Sequence, residues 1–94
     1  MKIESEKVLE RKLRKKVKSL GGLCLKFVPF HFIGFPDRIC LFPNGKVAFV
    51  EVKTTNENPD KIQMVRIREL KKLGFHAEVI DNSEDLENFI NEYS

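Results

Sequence analysis

The sequence predicts an α/β fold in which a central mixed sheet is flanked by helices, in the order α-β-β-β-α-β-α. Apolar residues recur every three or four positions in three segments, which indicates amphipathic helices. Four short apolar segments have the length and flanking breakers typical of strands. Because 94 residues bury only one modest core, we expect a single domain over residues 1–94.

The first helix is predicted within residues 3–20. Its apolar stripe consists of Leu9, Leu13, Val17 and Leu20. The pair Gly21-Gly22 ends it, since glycine adopts the C-cap conformation without a Cβ clash. Residues 23–28 then read as a strand, and Pro29 ends that strand because it lacks an N–H group.

A β-hairpin is predicted in the middle of the chain. Its strands are residues 38–42 and 46–53, and Pro43-Asn44-Gly45 joins them because Asn-Gly tolerates positive φ. In the second strand one face carries Ala48, Val50 and Val52, and the other begins with Val47 and Phe49. Two apolar faces are typical of a central strand covered on both sides.

The last third of the chain predicts a helix, a strand and a second helix. A polar loop over residues 54–59 leads to a helix over residues 60–73, which Gly74 ends. Residues 76–80 are the fourth strand. Ser83 is the expected N-cap of a final helix with the apolar side chains Leu86, Phe89 and Ile90.

The composition is that of an ordinary globular protein, with 41% hydrophobic and 33% charged residues. No apolar run approaches the roughly 20 residues that span a bilayer, and no signal-peptide pattern is present. We therefore expect a cytoplasmic protein without a membrane partner. Cys24 and Cys40 are too few for a disulfide scaffold and lack zinc-ligand spacing, so both are expected to be small buried thiols.

Basic residues are concentrated in the first helix, which carries Arg11, Lys12, Arg14, Lys15, Lys16 and Lys18. The net charge of +3 is mild evidence for a polyanionic partner. By itself, such a cluster is more typical of a solvated helix face.

Glu51 and Lys53 interrupt one apolar face of the second hairpin strand. Two charges at the end of a buried strand cost several kcal/mol unless they are paired or bind an ion. Taken alone, the two residues favour an exposed Glu–Lys pair.

Asp37 lies at the same end of the hairpin as Glu51. A three-residue turn or a bulge pairs position 37 with 51, whereas a two-residue turn pairs it with 52, and the sequence leaves both open. Two adjacent carboxylates repel each other unless a cation lies between them, and Mg²⁺ is the natural occupant. Lys53 points to the same place, where an ammonium can activate water or stabilise a phosphate transition state.

Residues 34–38, G-F-P-D-R, and residues 49–53, F-V-E-V-K, resemble the P-D…E-x-K signature of restriction-endonuclease-like nucleases. More narrowly, the chain resembles the VRR-NUC family from about residue 5 to residue 80. Three further features support this resemblance: Glu10 on the first helix, Lys26 on the first strand and Gln63 at the start of the second helix.

The resemblance implies a restriction-endonuclease-like core, α-β-β-β-α-β, here followed by one more helix. It implies a bound Mg²⁺, with Mn²⁺ as an alternative, held by Asp37, Glu51, the backbone carbonyl of Val52 and Glu10. Lys53 would assist the attacking water and Gln63 would orient the site. Stand-alone members are similar to Holliday junction resolvases, tend to be homodimers and are typical of phage and bacterial genomes.

Some of these assignments have alternatives in the sequence. Glu6 lies one turn before Glu10 and competes for its role, although Glu10 borders the buried stripe and is favoured. Lys26 is either an edge lysine or a phosphate contact. His31 and His76 have no ligand-spaced companions and are expected outside catalysis.

Half of the eight phenylalanines lie directly before Pro36-Asp37: Phe27, Phe30, Phe32 and Phe35. Core packing is one interpretation. A domain this small cannot easily bury all four, however, and exposed apolar clusters usually mark interfaces. We therefore predict a homodimer that buries part of this segment.

The sequence thus predicts a Mg²⁺-dependent DNA endonuclease of a bacterial or phage-infected host cytoplasm. Selectivity is expected for branched DNA structure, because no reader of base edges is evident. The expected backbone contacts are Lys26, Arg38, Arg11, Lys12, Arg14, Lys15, Lys61 and Arg66. A non-catalytic DNA-binding module and an RNA-directed nuclease are the alternatives.

Overall fold

The fold is taken from a computed structural model that describes residues 2–94, so that Met1 lies outside the described residues. The helices and strands are α1 (Glu6–Ser19), β1 (Leu23–Lys26), β2 (Arg38–Phe42), β3 (Lys46–Val52), α2 (Lys61–Lys72), β4 (His76–Ile80) and α3 (Ser83–Asn91). A single 3-10 turn over Pro43–Gly45 joins β2 to β3. The predicted α/β fold class and the predicted order of elements are confirmed.

The strands form one mixed sheet in the order β1-β2-β3-β4. β1 pairs antiparallel with β2, and β2 pairs antiparallel with β3. β4 pairs parallel with β3, since α2 carries the chain back to the start of the sheet. β3 therefore lies inside the sheet, as its two apolar faces predicted.

Two apolar layers hold the helices against the sheet. The larger lies beneath α1 and α3 and contains Leu9, Leu13, Val17, Cys40, Phe42, Ala48, Val50, Val52, Ile80, Leu86, Phe89 and Ile90. The smaller lies beneath α2, where Ile67 and Leu70 pack with Ala77. Within residues 2–94, α2 covers only part of its face of the sheet. On that face β1 is uncovered, and its side chains Leu23 and Leu25 are 58% and 46% exposed.

The first two elements are shorter than the sequence suggested. α1 begins at Glu6 because Ser5 is its N-cap, with the Ser5 hydroxyl accepting from the N–H of Val8 at 3.2 Å. β1 ends at Lys26 rather than at residue 28, and the chain then leaves the sheet towards Pro29.

The predicted N-cap of α3 was wrong by one residue. Asn82 is the cap, and its side chain accepts from the N–H of Asp85 at 2.8 Å. Ser83 is the first helical residue. Its N–H and hydroxyl are instead occupied by the carboxylate of Glu4, which a search for local capping patterns cannot detect.

Thr55 ties the segment before α1 to the loop after β3. Its N–H donates to the carbonyl of Glu4 at 3.0 Å, and its hydroxyl accepts from the N–H of Glu4 at 2.9 Å. The same hydroxyl donates to the carbonyl of Asp81 at 2.7 Å. One buried side chain thus fixes the start of α1 beside the ends of β3 and β4.

Glu4 completes this attachment on the α3 side. Its carboxylate accepts from Lys12 Nζ at 2.7 Å and from the N–H of Ser83 at 2.9 Å. Hydrogen bonds from Lys12 and Ser83 lower the pKa of Glu4 to about 2. The carboxylate is therefore ionised across the physiological range and keeps α1 joined to α3.

No helix among residues 2–94 is long and apolar enough to cross a membrane.

Thr55→Val is expected to lower the free energy of unfolding by about 2 kcal/mol, because it leaves the N–H of Glu4 and the carbonyl of Asp81 unpaired in a buried place. Urea denaturation followed by circular dichroism measures the change. Thr54→Val is the matched control, since Thr54 makes one such bond, to the N–H of Glu6 at 3.1 Å, and should cost about 1 kcal/mol. Equal losses in the two variants would contradict the proposed importance of Thr55.

Candidate active site

The turn of the hairpin decides which residues meet at its open end. Three residues form the turn, and the register pairs Arg38 with Val50, which places Asp37 opposite Glu51. This is the first of the two registers that the sequence allowed. Asp37 also holds the edge of the sheet, because its carbonyl accepts from the N–H of Phe27 at 2.8 Å.

The two carboxyl groups lie in a poorly solvated position. The side chain of Glu51 is only 7% exposed. Burial raises the pKa of Glu51 to about 7, and the negative charge of Asp37 adds to the effect. The pKa of Asp37 is also raised, first by burial and then by the charge of Glu10. The site is therefore costly to ionise without a cation.

One oxygen of this pair has an unused lone pair. Oδ1 of Asp37 is buried and has no hydrogen-bond partner among residues 2–94. Buried polar atoms are normally paired, and an unpaired one requires an explanation such as an ion. Carboxylate oxygens are the ligands preferred by Mg²⁺ and Mn²⁺, so the residues present fit a hard divalent cation.

Lys53 supplies the positive charge of the site. Its Nζ lies 3.8 Å from Oε2 of Glu51, and its side chain is 15% exposed. The N–H of Lys53 donates to the carbonyl of Ile80 at 3.0 Å, which continues the pairing of β3 with β4. The ammonium is therefore positioned by the sheet, near the carboxylates but beyond hydrogen-bond distance of Glu51.

Glu10 approaches the site from α1, but Arg38 holds it. Nη2 of Arg38 lies 2.5 Å from Oε2 of Glu10, and the Arg38 side chain is 10% exposed. Its Nε is buried without a partner among residues 2–94. Arg38 thus acts on Glu10, and a direct contact of Arg38 with DNA would require this pair to open.

Glu6, which the sequence ranked below Glu10, is a second carboxylate of α1 whose charge is coupled to that of Asp37. The N–H of Glu6 is bound by the hydroxyl of Thr54, directly after Lys53. Burial raises the pKa of Glu6, followed by the charges of Glu10 and Asp37. The signal in the sequence was the spacing, since residues four apart share a helix face.

The structure shows the local contacts of two further predicted site residues, Gln63 and Val52. Oε1 of Gln63 accepts from the N–H of Asp60 at 2.9 Å and so helps to start α2. Val52 points its side chain into the larger apolar layer, between Glu51 and Lys53 in the chain. The roles of the Gln63 amide and the Val52 carbonyl at the site stay predictions.

The predicted DNA contacts fall into two groups. Those with exposed side chains are Arg11, Arg14, Lys15, Lys26 and Lys61. Lys12 is engaged with Glu4 and Ser83. Arg66 donates to the carbonyl of Ile33 at 2.9 Å, and its guanidinium lies 3.9 Å from the centre of the Phe32 ring. Arg66 therefore fixes the phenylalanine-rich loop over residues 27–35, here called the aromatic loop, on α2.

Glu10, Asp37 and Glu51 do not bring three ligand atoms within 4.8 Å of one another, and the group among residues 2–94 that does so consists of His76, Glu78 and Glu92. It lies at the other end of the sheet, since His76 pairs with Ala48 whereas Glu51 pairs with Val79. Nε2 of His76 is 2.7 Å from Oε1 of Glu78. His31 is exposed and lies in the aromatic loop.

Comparisons with known proteins agree with this fold. No family model matches the chain. A phage protein called "Putative nuclease p44", from Acyrthosiphon pisum secondary endosymbiont phage 1, is 37% identical over 90 residues, which cover 96% of each chain. A solved structure described as a VRR_NUC domain has a TM-score of 0.88 and 26% identity, and it covers 97% of this chain and 100% of its own.

The mixed sheet and these two relatives define the class of protein as a nuclease. The chain belongs to the VRR-NUC family, and the resemblance that the sequence motifs suggested is confirmed.

Glu51→Gln is expected to stabilise the metal-free protein by about 2 kcal/mol at about pH 8.5, because ionised Glu51 is disfavoured in the folded state. The folded pKa of about 7 lies above the ordinary value of 4.5. The advantage should therefore shrink as the pH falls through 7 and vanish below 4.5, where Glu51 is protonated in both states. Urea unfolding across this pH range, with chelator present, measures the effect.

The exposed carboxylate Glu57 offers a control for this measurement, as Glu57→Gln removes one surface charge from the loop after β3. A gain for Glu51→Gln that did not change between the two ends of the pH range would show that Glu51 titrates normally.

Proposed function

We propose that this protein is a Mg²⁺-dependent endonuclease that hydrolyses phosphodiester bonds in DNA, with Asp37, Glu51 and Lys53 as its catalytic residues. The observation that carries the proposal is that buried Glu51 lies opposite half-buried Asp37, whose Oδ1 atom is buried and lacks a partner among residues 2–94. A DNA-binding protein without enzymatic activity has no use for such a destabilised pair.

Asp37 and Glu51 would hold the ion, together with the Val52 carbonyl and a carboxylate of α1. When bound, Mg²⁺ would lower the pKa of a coordinated water and neutralise charge on the phosphate; Mn²⁺ can substitute. Lys53 would place its ammonium beside the attacking water and the phosphoryl oxygens, where negative charge develops. Gln63 would orient the same region from α2.

The carboxylate of α1 that serves the site is Glu10 or Glu6. Glu10 is supported by its ion pair with Arg38, the residue after Asp37, and by the effect of its charge on the pKa of Asp37. Glu6 is supported by its attachment to Thr54 and by the charges of Asp37 and Lys53 that act on it. We keep Glu10 as the ligand and treat Glu6 as the alternative, and the two are separated by experiment below.

DNA would be held through its phosphates. The exposed basic residues of α1 and β1 that would bind them are Arg11, Arg14, Lys15 and Lys26, and the charge of Lys26 acts on Asp37. Lys61 would add a contact at the start of α2. Contacts of this kind carry no base information, which supports selectivity for DNA structure rather than sequence.

The active form would be a homodimer. The aromatic loop exposes Phe30 by 88% and Ile33 by 76%, and it continues into the open β1 side of the sheet at Leu25. Exposed apolar surface of this extent is typical of interfaces. A two-fold dimer would present two active sites to a symmetric branched DNA, in the cytoplasm of a bacterium or a phage-infected host.

Cleavage of a labelled four-way DNA junction is expected with Mg²⁺ or Mn²⁺ and not with chelator, and it should exceed cleavage of a matching duplex and of a matching RNA. Asp37→Asn, Glu51→Gln and Lys53→Ala should each reduce the rate by about 100-fold or more. Lys46→Ala, at the opposite end of β3, is the matched control for Lys53.

The same assay distinguishes the carboxylates of α1. If Glu10 is the ligand, Glu10→Gln should weaken Mn²⁺ binding in calorimetry and slow cleavage, with Glu6→Gln much milder; the reverse order assigns the role to Glu6. Binding of the junction without cleavage under either metal would contradict the enzymatic proposal, and preference for RNA would overturn the proposed substrate.

Leu25→Lys is expected to convert the dimer to a monomer in sedimentation velocity, because it places a charge on the open β1 surface. Ile3→Lys provides the control, since Ile3 is 69% exposed before α1 and belongs neither to β1 nor to the loop that carries Phe30. A wild-type protein that is monomeric at high concentration would refute the proposed dimer.

A further inference from the structure

Cys24 and Cys40 form a cross-strand pair between β1 and β2. Their sulfur atoms are 3.9 Å apart, with the thiol of Cys40 donating to Cys24. They are the only cysteines of the sequence. The pair faces α1, beside the larger apolar layer, and takes no part in the proposed nuclease chemistry.

The backbone pattern gives this pair the closest spacing available in an antiparallel sheet. The N–H of Phe27 donates to the carbonyl of Asp37, so that positions 27 and 37 are a hydrogen-bonded pair. Bonded and non-bonded pairs alternate along such a ladder, which makes Cys24 and Cys40 a non-bonded pair. Non-bonded pairs have Cα atoms about 4.5 Å apart, within the range that a disulfide spans.

The two thiols differ in the way that stepwise oxidation requires. Cys24 is half-buried and can be reached by a small oxidant, whereas Cys40 is fully buried. The hydrogen bond from Cys40 lowers the pKa of Cys24, and the positive charges of Arg38 and Arg14 act in the same direction. The same hydrogen bond and burial raise the pKa of Cys40.

We propose that Cys24 and Cys40 form a reversible intramolecular disulfide when the protein meets hydrogen peroxide, with Cys24 as the thiol that is oxidised first and Cys40 as the resolving one. The pair is reduced at rest in a reducing compartment. Oxidation joins β1 covalently to β2, the strand that Asp37 precedes.

The reaction balances in two steps. The Cys24 thiolate attacks one oxygen of the peroxide, the O–O bond breaks, and Cys24 becomes a sulfenic acid as hydroxide leaves, which forms one water with the proton that the Cys24 thiol had released. The sulfur of Cys40 then attacks the sulfur of Cys24, the S–O bond breaks, and the thiol proton of Cys40 leaves with the hydroxide as a second water. In total, two thiols lose two electrons and two protons to one peroxide.

Treating the reduced full-length chain with hydrogen peroxide, and then with N-ethylmaleimide in denaturant so that buried Cys40 is accessible, tests the proposal. Intact mass spectrometry should show a chain lighter by two hydrogen atoms and without maleimide adducts, and peptide mapping should join Cys24 to Cys40. Dithiothreitol should restore two maleimide-reactive thiols. The oxidised protein should melt at least about 5 °C higher, because the bridge restricts the unfolded chain.

Single variants identify the order of attack. In Cys40→Ala, dimedone should trap a sulfenic acid on Cys24, and in Cys24→Ala the thiol of Cys40 should stay unmodified. Two surviving maleimide adducts, disulfides between different chains, or sulfinic acid on Cys24 of the wild-type protein would each overturn the proposal. The wild-type peptide map decides the matter if either variant fails to fold.

Discussion

The register between β2 and β3 is the constraint on which the site depends. A turn of three residues, with Asn44 and Gly45 at φ values of 68° and 73°, sets that register. Side chains alternate between the faces of a strand, so a shift of one residue would send Glu51 to the wrong face or the wrong partner. The geometry of a turn at one end of the hairpin therefore determines which carboxylates meet at the other end, five residue pairs away.

The site is placed where the fold can tolerate its electrostatic cost. Apolar layers on both faces of β3 anchor the strand. This packing lets the end of the strand carry charged side chains, although they lose solvation there. Natural proteins commonly sacrifice stability at positions that function requires. Thr55 and Glu4 offset part of this cost by binding α1 and α3 to the loop after β3, which keeps the α1 carboxylates beside Asp37.

Local patterns were sufficient to predict most of the fold. Periodic apolar residues gave the helices, and Asn44-Gly45 gave the hairpin, because both signals depend only on neighbours in the chain. Contacts between distant segments were beyond such reasoning. Lys12 and Arg66 read as free basic residues, yet each binds a segment tens of positions away. The cap of α3 was predicted one residue too late for the same reason, since Ser83 donates to the carboxylate of Glu4. The ion pair of Glu10 with Arg38 was also not predicted.

The attachment through Thr55 also bears on how the protein is made. Glu4 must meet Thr55 and Ser83, and Thr55 must meet Asp81, before the start of α1 is fixed in place. During translation these partners leave the ribosome in sequence, and the last of them comes after β4. The nascent chain therefore cannot complete this attachment until residue 83 has emerged, when nearly the whole domain is available to fold.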